Sequence, residues 1–560
     1  MRQWLFRTRS DVMWFVSAGL FALVIFFRQQ LRSAFARVFG DRIDGLIEIA
    51  HLEHWHNVLR GVSPWDRTLW YFPNPDTVGY NDGYLLYGLA YGFFRVIGAD
   101  AFVASDLTNM GVKAVGFLGF VLFARRFAGA SMPVAAVFAL IFTIANASYA
   151  NAYHAQLFSV GFAPLLAFWI GIAIGNAPHR PGRAAGYGAL VAVFYAAWMM
   201  TAFYTAWFFA YGAAFLLLFL ALLATPAERH RARAWMRRSW RPMGLAGAIF
   251  AIGLLPFLHV YWPAARRTGM HDFHEVSRYL PALTGLLNVG PGNLLYGRWD
   301  LWLSQRWGTH FSMDAEQIMG MPWGLLACGV AGAVLCWSGR RSVFWRALAL
   351  ATFVSWLATT RLHGHPVWHL FYRVVPAAPA VRVICRYELF LTFPVTLLAM
   401  RAIMRIGQVS ARRGRLTLLP VAPLLVFLVI EEINLDNPLS LVRAHEDARL
   451  AAIPAAPANC RSFYAVNARP DPKMPPGFDS QYSHNVDAMF IAEMRGIPTL
   501  NGIDSFSPPG WNLFGYDDPT YPARVRDDIA QHRLTHVCAF DLRTSQWRDA
   551  PPTADAAAPP

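Results

Sequence analysis

The sequence predicts a polytopic α-helical membrane protein that ends in an α/β segment outside the membrane, and three observations predict it. Of the 560 residues, 56% are hydrophobic and 15% charged, with a mean hydropathy of +0.32, a balance too apolar for a soluble chain of this length. The apolar residues gather in segments joined by connections of which every second one is rich in arginine. After Asn434 the composition returns to ordinary globular usage.

The chain opens with Arg2, Arg7 and Arg9 ahead of the apolar run Val12–Phe27, and no small-residue cleavage site follows. This pattern predicts a signal anchor whose basic end stays in the cytoplasm. Residues 28–100 then form a first outer loop, whose tail from Gly83 to Gly98 is apolar enough to be re-entrant or interfacial. Further spans are expected at about 101–123, 132–147, 157–175, 186–201, 203–224, 243–262, 321–337, 343–360, 385–403 and 417–432, about eleven in all. Arg125 and Arg126, Arg180 and Arg183, Arg229 to Arg241, Arg340 to Arg346, and Arg401 to Arg415 fall in alternate connections. The net charge of +15 therefore encodes topology. It forms no nucleic-acid stripe, and the inner connections hold no Gly-rich phosphate loop or Walker-type lysine.

On this topology residues 1–433 are the membrane part, 434–548 an extracytoplasmic α/β domain, and 549–560 a low-complexity, disordered tail. CRSFYAV and THVCAFDL read as strands, and VDAMFIAEMRG and PARVRDDIAQHR as helices. Cys460 and Cys538 both fall in this region, so a disulfide is available to them in an oxidising compartment.

Chemistry is therefore sought on the outer side. A helix over 43–60 places Asp44, Glu48, His51 and Trp55 within about 60° of one another, with Ile43, Leu46, Ile47 and Ala50 in another sector. The helix is expected to lie on an apolar surface and show its acidic stripe to a polar group. Helix capping by Asp41 and a dipole role for Asp44 are the plain alternatives. Asp82 and His154 are outer polar candidates, as is the basic connection holding His363, His365, Arg382 and Arg386. Arginine kept outside against the positive-inside bias points to an anion, and its planar fork suits phosphate. Snorkelling onto lipid headgroups is the alternative. His51, His54 and His56 lack zinc spacing, whereas a divalent cation such as Mg or Mn on Asp44 and Glu48 stays open.

The segments GDRID (Gly40–Asp44), FPNPDTVGYND (Phe72–Asp82), HAQL (His154–Leu157) and PAAPAVRVICRY (Pro376–Tyr387) resemble those of bacterial GT-C-like membrane glycosyltransferases. The resemblance implies an inverting enzyme of the inner membrane that moves a hexose or pentose from a polyprenyl-phosphate donor to a lipid or glycan acceptor. It assigns the acceptor-activating carboxylate to Asp41 or Asp44. Glu48, His51, Asp82, His154, His363, His365, Arg382 and Arg386 are then expected around the substrates. The alternative is a transporter or flippase of lipid-linked glycans. That would place ionisable groups at the bilayer midplane, whereas here they crowd the outer edge.

Overall fold

The computed structural model describes residues 5–308, 311–337, 342–362, 364–412, 421–469 and 476–549. Helix α1 (Arg9–Phe26) starts at a capping box, in which Thr8 Oγ1 accepts from the Asp11 amide at 3.1 Å and the Asp11 carboxylate accepts from the Thr8 amide at 3.3 Å. Strand β1 (Arg37–Val38) follows, then α2 (Asp44–Leu59), α3 (Leu85–Val96), α4 (Ala101–Phe123), α5 (Met132–Thr143), α6 (Phe162–Asn176), α7 (Pro181–Met199) and α8 (Phe203–Leu223). Helices α9 (Pro226–Gly253) and α10 (Leu255–Thr268) are bent by 49° at their junction. After α10 come α11 (Gly297–Trp307), α12 (Trp323–Leu335), α13 (Val343–Thr359), α14 (Tyr387–Arg412) and α15 (Ala422–Ile430).

Among the described residues six helices are long and apolar enough to cross a membrane, or seven if α9 and α10 count as one bent span. Eleven were expected. The difference lies mostly in helix length: α12, α13 and α15 hold 13, 17 and 9 described residues, whereas a bilayer asks for about 20; α7, with 19 residues, is long enough but not apolar enough. Hydropathy located these segments but not the residues at which each helix stops.

The C-terminal segment contains β2 (Leu441–Val442), α16 (Arg443–Ala452), β3 (Ser462–Val466), α17 (Pro476–Arg495), α18 (Tyr521–Gln531), β4 (Val537–Asp541) and β5 (Gln546–Asp549). Its three-stranded sheet runs β3-β4-β5, with β3 parallel and β5 antiparallel to β4. Cys460 and Cys538 are joined by a disulfide, with Cα atoms 5.8 Å apart. The expected tail lies outside the described residues except for Asp549, which ends β5.

This segment is tied to the first long loop, residues 28–100. Strand β2 pairs antiparallel with β1, Arg37 opposite Val442, and α17 packs along α2. Gly40 is essential to the join: its φ is +89° and a Cβ there would come within 2.4 Å of Gly45 Cα. The packing also corrects the amphipathic expectation for α2. Ile43, Leu46 and Ala50 are buried as expected, but so are Glu48 and His51 of the acidic stripe, and Glu53 and His54 elsewhere on the helix.

Candidate functional site

Four side chains from distant parts of the chain meet beside the start of α2. Asp44 is its first residue, and its Oδ2 lies 3.9 Å from Nδ1 of His154, in the loop before α6. His154 Nε2 is 3.2 Å from Oε1 of Glu316, which sits on a 3₁₀ turn over Ala315–Gln317. The Arg386 guanidinium, at the entry to α14, closes the row with a two-pronged contact: Nη2 donates to Glu316 Oε1 at 2.8 Å and Nε to Oε2 at 3.0 Å. Asp314 fixes the Glu316 turn by accepting from the Glu316 amide at 3.1 Å.

The charges set one another's protonation. Withdrawal from bulk water holds the Asp44 carboxyl above the usual carboxylate range, against the pull of His154 and with reinforcement from Asp41 and Glu316. Burial would also raise Glu316, but Arg386 and His154 outweigh it and keep that carboxyl well below the ordinary range. Burial disfavours the His154 imidazolium, yet Asp44 and Glu316 prevail and its pKa is raised. Asp44 and His154 thus form a carboxylate–imidazole pair able to hold or pass a proton, while Glu316 remains the anion that orients Arg386.

Arg386 also lines a cavity of about 450 Å³. Its lining includes the polar side chains of Asn81, Asp82, Gln156, His271, Arg382 and Arg386 and the apolar ones of Met199, Phe203, Trp207, Phe257 and Trp262. Asp82 Oδ1 accepts from the Phe203 amide at 2.7 Å, at the start of α8. Withdrawal from water pushes its carboxyl up to about 6 despite that hydrogen bond and the nearby Arg386. Arg382 lies 3.6 Å from Glu275, and its backbone amide donates to Tyr204 Oη at 2.9 Å. A small polar head with an apolar tail would find both of its environments here.

Of the residues expected from sequence, the structure therefore brings Asp44, His154 and Arg386 together, and Asp82 and Arg382 line the same cavity as Arg386. The others are placed differently. Asp41 Oδ1 accepts from the Ile43 amide at 2.8 Å and the Gly45 amide at 3.4 Å, so it caps α2. Glu48 is buried and accepts from Ser105 Oγ at 3.3 Å and Asn109 Nδ2 at 3.2 Å on α4. Desolvation raises its carboxyl to about 7 in spite of those two donors. The pairing of Asp44 with Glu48 around a cation is thus not what the helix presents. His51 and Asn81 share Asp504 of the C-terminal segment, at 3.1 and 2.8 Å, and Trp70 Nε1 donates to the same carboxylate at 2.7 Å. His365 is exposed on a two-residue strand paired with Arg361–Leu362, and His363 lies outside the described residues.

Sequence reasoning missed Glu316, although its signal is visible: Asp314 and Glu316 are the acids immediately before the apolar run that opens α12, in a loop already assigned to the outer side. For a divalent cation, Asp44, His154 and Glu316 offer two carboxylates and an imidazole, but Asp44 faces Nδ1 and Glu316 faces Nε2 of the ring, so the three do not converge on one ion. A second group, Asp66, Asp76 and His259, has ligand atoms within 4.8 Å of one another. There Asp76 already accepts from Arg267 at 2.7 Å.

No family model and no curated protein sequence matches the chain. Solved structures do. The oligosaccharyltransferase of Archaeoglobus fulgidus, tethered to an acceptor peptide with an NVT sequon, superposes with a TM-score of 0.53 at 11% identity, over 94% of this chain and 68% of that one. The chain has the GT-C fold. The same archaeal enzyme, AglB, in complex with an inhibitory peptide and a dolichol-phosphate, gives a TM-score of 0.51 at 10% identity, over 95% of this chain and 70% of that one. In its apo form 64% of that enzyme is covered. The mycobacterial arabinofuranosyltransferase AftD gives 0.52 at 14% identity, over 94% of this chain but 35% of its own. This GT-C chain thus spans about two thirds of the archaeal enzyme and about a third of the mycobacterial one.

Proposed function

We propose that the protein is a membrane glycosyltransferase that moves a sugar from a polyprenyl-phosphate donor to an acceptor outside the cytoplasm. The observation that carries this reading is the row Asp44–His154–Glu316–Arg386 at the edge of a cavity lined by both polar and apolar side chains. Its fold neighbours support the class, since one of them binds a dolichol-phosphate and another transfers an arabinofuranosyl group. Nothing in that likeness supports a flippase.

In this reading Asp44 takes the proton from the acceptor hydroxyl as it attacks the sugar. A raised carboxyl is the stronger base, and His154 steadies it by sharing charge. Asp44 is preferred to Asp41, whose carboxylate serves the helix end. Arg382 and Arg386 face the donor phosphate. The fork to Glu316 uses Nε and Nη2 of Arg386 and leaves Nη1 to donate to a phosphate oxygen as negative charge builds on it. The apolar wall takes the first isoprene units. The setting is the bacterial inner membrane, with the N-terminus in the cytoplasm and the first loop and C-terminal segment outside.

The test is to incubate purified protein with polyprenyl-phosphate sugars and follow transfer or hydrolysis by mass spectrometry. The reading expects released polyprenyl phosphate from the wild type and little from Asp44→Asn. Movement of intact lipid-linked sugar across a vesicle bilayer with no cleavage would overturn it.

A further inference from the structure

Helix α11, in the connection between the expected spans 243–262 and 321–337, is strongly exposed in its aromatic residues and has no part in the cavity. Trp299 is 59% and Trp302 49% exposed, and Leu301 is exposed beside them. On a helical wheel Arg298, Trp299, Leu301, Trp302, Gln305 and Arg306 cover one broad face. That face holds no acid. The helix's one acidic residue, Asp300, points inward, fully buried, and accepts from the Gly290 amide at 2.7 Å. The Arg306 guanidinium lies 5.8 Å from the centroid of the Trp302 ring. With 11 residues α11 is too short to cross a bilayer.

Its height is fixed by neighbours that end at the same level. The chain just before it is clamped to the end of α15: the Leu294 amide donates to the Ile433 carbonyl at 2.9 Å, and Asn293 Nδ2 to the Glu431 carbonyl at 2.7 Å. Tyr296 stacks on Trp323, the first residue of α12, at 4.6 Å. Just beyond α1, Gln29 Nε2 donates to the Asp436 carbonyl at 3.0 Å. Three apolar helices thus begin or end where α11 lies, and Leu294, Leu295 and Leu435 are exposed on the same rim.

From this we infer that α11 is an interfacial anchor that rests on the outer leaflet, with Trp299, Leu301 and Trp302 set among the upper acyl chains and Arg298 and Arg306 on anionic headgroups. Tryptophan with arginine on an acid-free helix face is the composition that favours the boundary between acyl chain and headgroup. The occupant is lipid because the face is continuous with the level at which the apolar helices end. The anchor also braces the candidate site. Asp300 holds Gly290, while Asn288 Nδ2 donates to the Ser312 carbonyl at 2.6 Å and so holds the strand that leads into the Glu316 turn.

Site-directed spin labelling in nanodiscs tests the inference without reference to turnover. In a Cys328→Ala background, nitroxides are placed at Trp299→Cys, Leu301→Cys and Trp302→Cys, with Asp517→Cys, exposed in the C-terminal segment, as the aqueous reference. In discs containing phosphatidylglycerol the three α11 labels are expected to collide several-fold less with a nickel chelate than the reference, at depths of about 5–10 Å below the phosphates. Adding Arg298→Gln and Arg306→Gln should make the Trp302→Cys label shallower. Nickel access at all three positions equal to that at 517, in protein that retains its thermal unfolding transition, would overturn the anchor and leave the transferase reading untouched.

Discussion

Asp44 and Glu48 stand four residues apart on α2, yet Asp44 meets His154 beside Glu316 and Arg386, whereas Glu48 is sealed against α4 by Ser105 and Asn109. Side-chain type and helical phase are nearly the same for both. What separates them is the packing that arrives from elsewhere. Helix α17 and Asp504 cover the body of α2, and only its first turn is left to face the row that ends at Arg386. Acids on one stripe of a helix are therefore not one functional group, and the element that covers the stripe decides which of them can do chemistry.

The comparison can be broken most strongly at the arginine end of the row. Arg386→Ala leaves Glu316 without its fork partner in a mostly buried position, and is expected to cost about 3 kcal/mol or more of stability together with nearly all turnover. Restoring stability but not turnover with Arg386→Ala plus Glu316→Gln would locate the loss in the ion pair; thermal unfolding in detergent and the transfer assay read the two. At the covered end, Asp504→Ala strips a partner from His51, Asn81 and Trp70 at once and should cost about 3 kcal/mol, seen as a lower melting temperature.

Glu48 sharpens the contrast through pH. Its carboxyl rises from 4.5 to about 7 on folding. A raised folded value means that its contribution is fully present below pH 4.5 and is lost as pH climbs through 7, a cost of about 3 kcal/mol in alkaline solution. Glu48→Gln, which keeps an acceptor for Ser105 and Asn109, should then melt higher than wild type above pH 7, and the gain should vanish below pH 4.5. Melting curves across that range check it. The smallest effect belongs to Asp41→Ala, which removes a helix cap worth about 1 kcal/mol and should leave the rate of transfer nearly unchanged.

How much of this was legible in the sequence follows the same division. Asp44, His154, Asp82, Arg382 and Arg386 could be nominated because polar groups on the outer side of an apolar chain need a reason to be there, and the structure gathers them around one cavity and its edge. Glu316 could not be paired with Arg386 across 70 residues, since no local periodicity connects them. The burial of Glu48 and His51 was equally hidden: Ser105 and Asn109 of α4 close over the first, and Asp504, more than 400 residues further along the chain, meets the second. In the C-terminal segment β3, β4, α17 and α18 were readable from alternation and turn residues, but β2, α16 and β5 were not, and neither was the seat of the segment on the first loop, which depends on Gly40 and the β1–β2 pair.

The most direct measurement sets Asp44→Asn beside Glu48→Gln in one assay of sugar transfer from polyprenyl phosphate, with melting temperature recorded for both. The account predicts that Asp44→Asn loses about a hundredfold or more in turnover with its melting temperature held or raised, while Glu48→Gln keeps turnover and gains stability. Full activity in Asp44→Asn, or abolished activity in a folded Glu48→Gln, would contradict it.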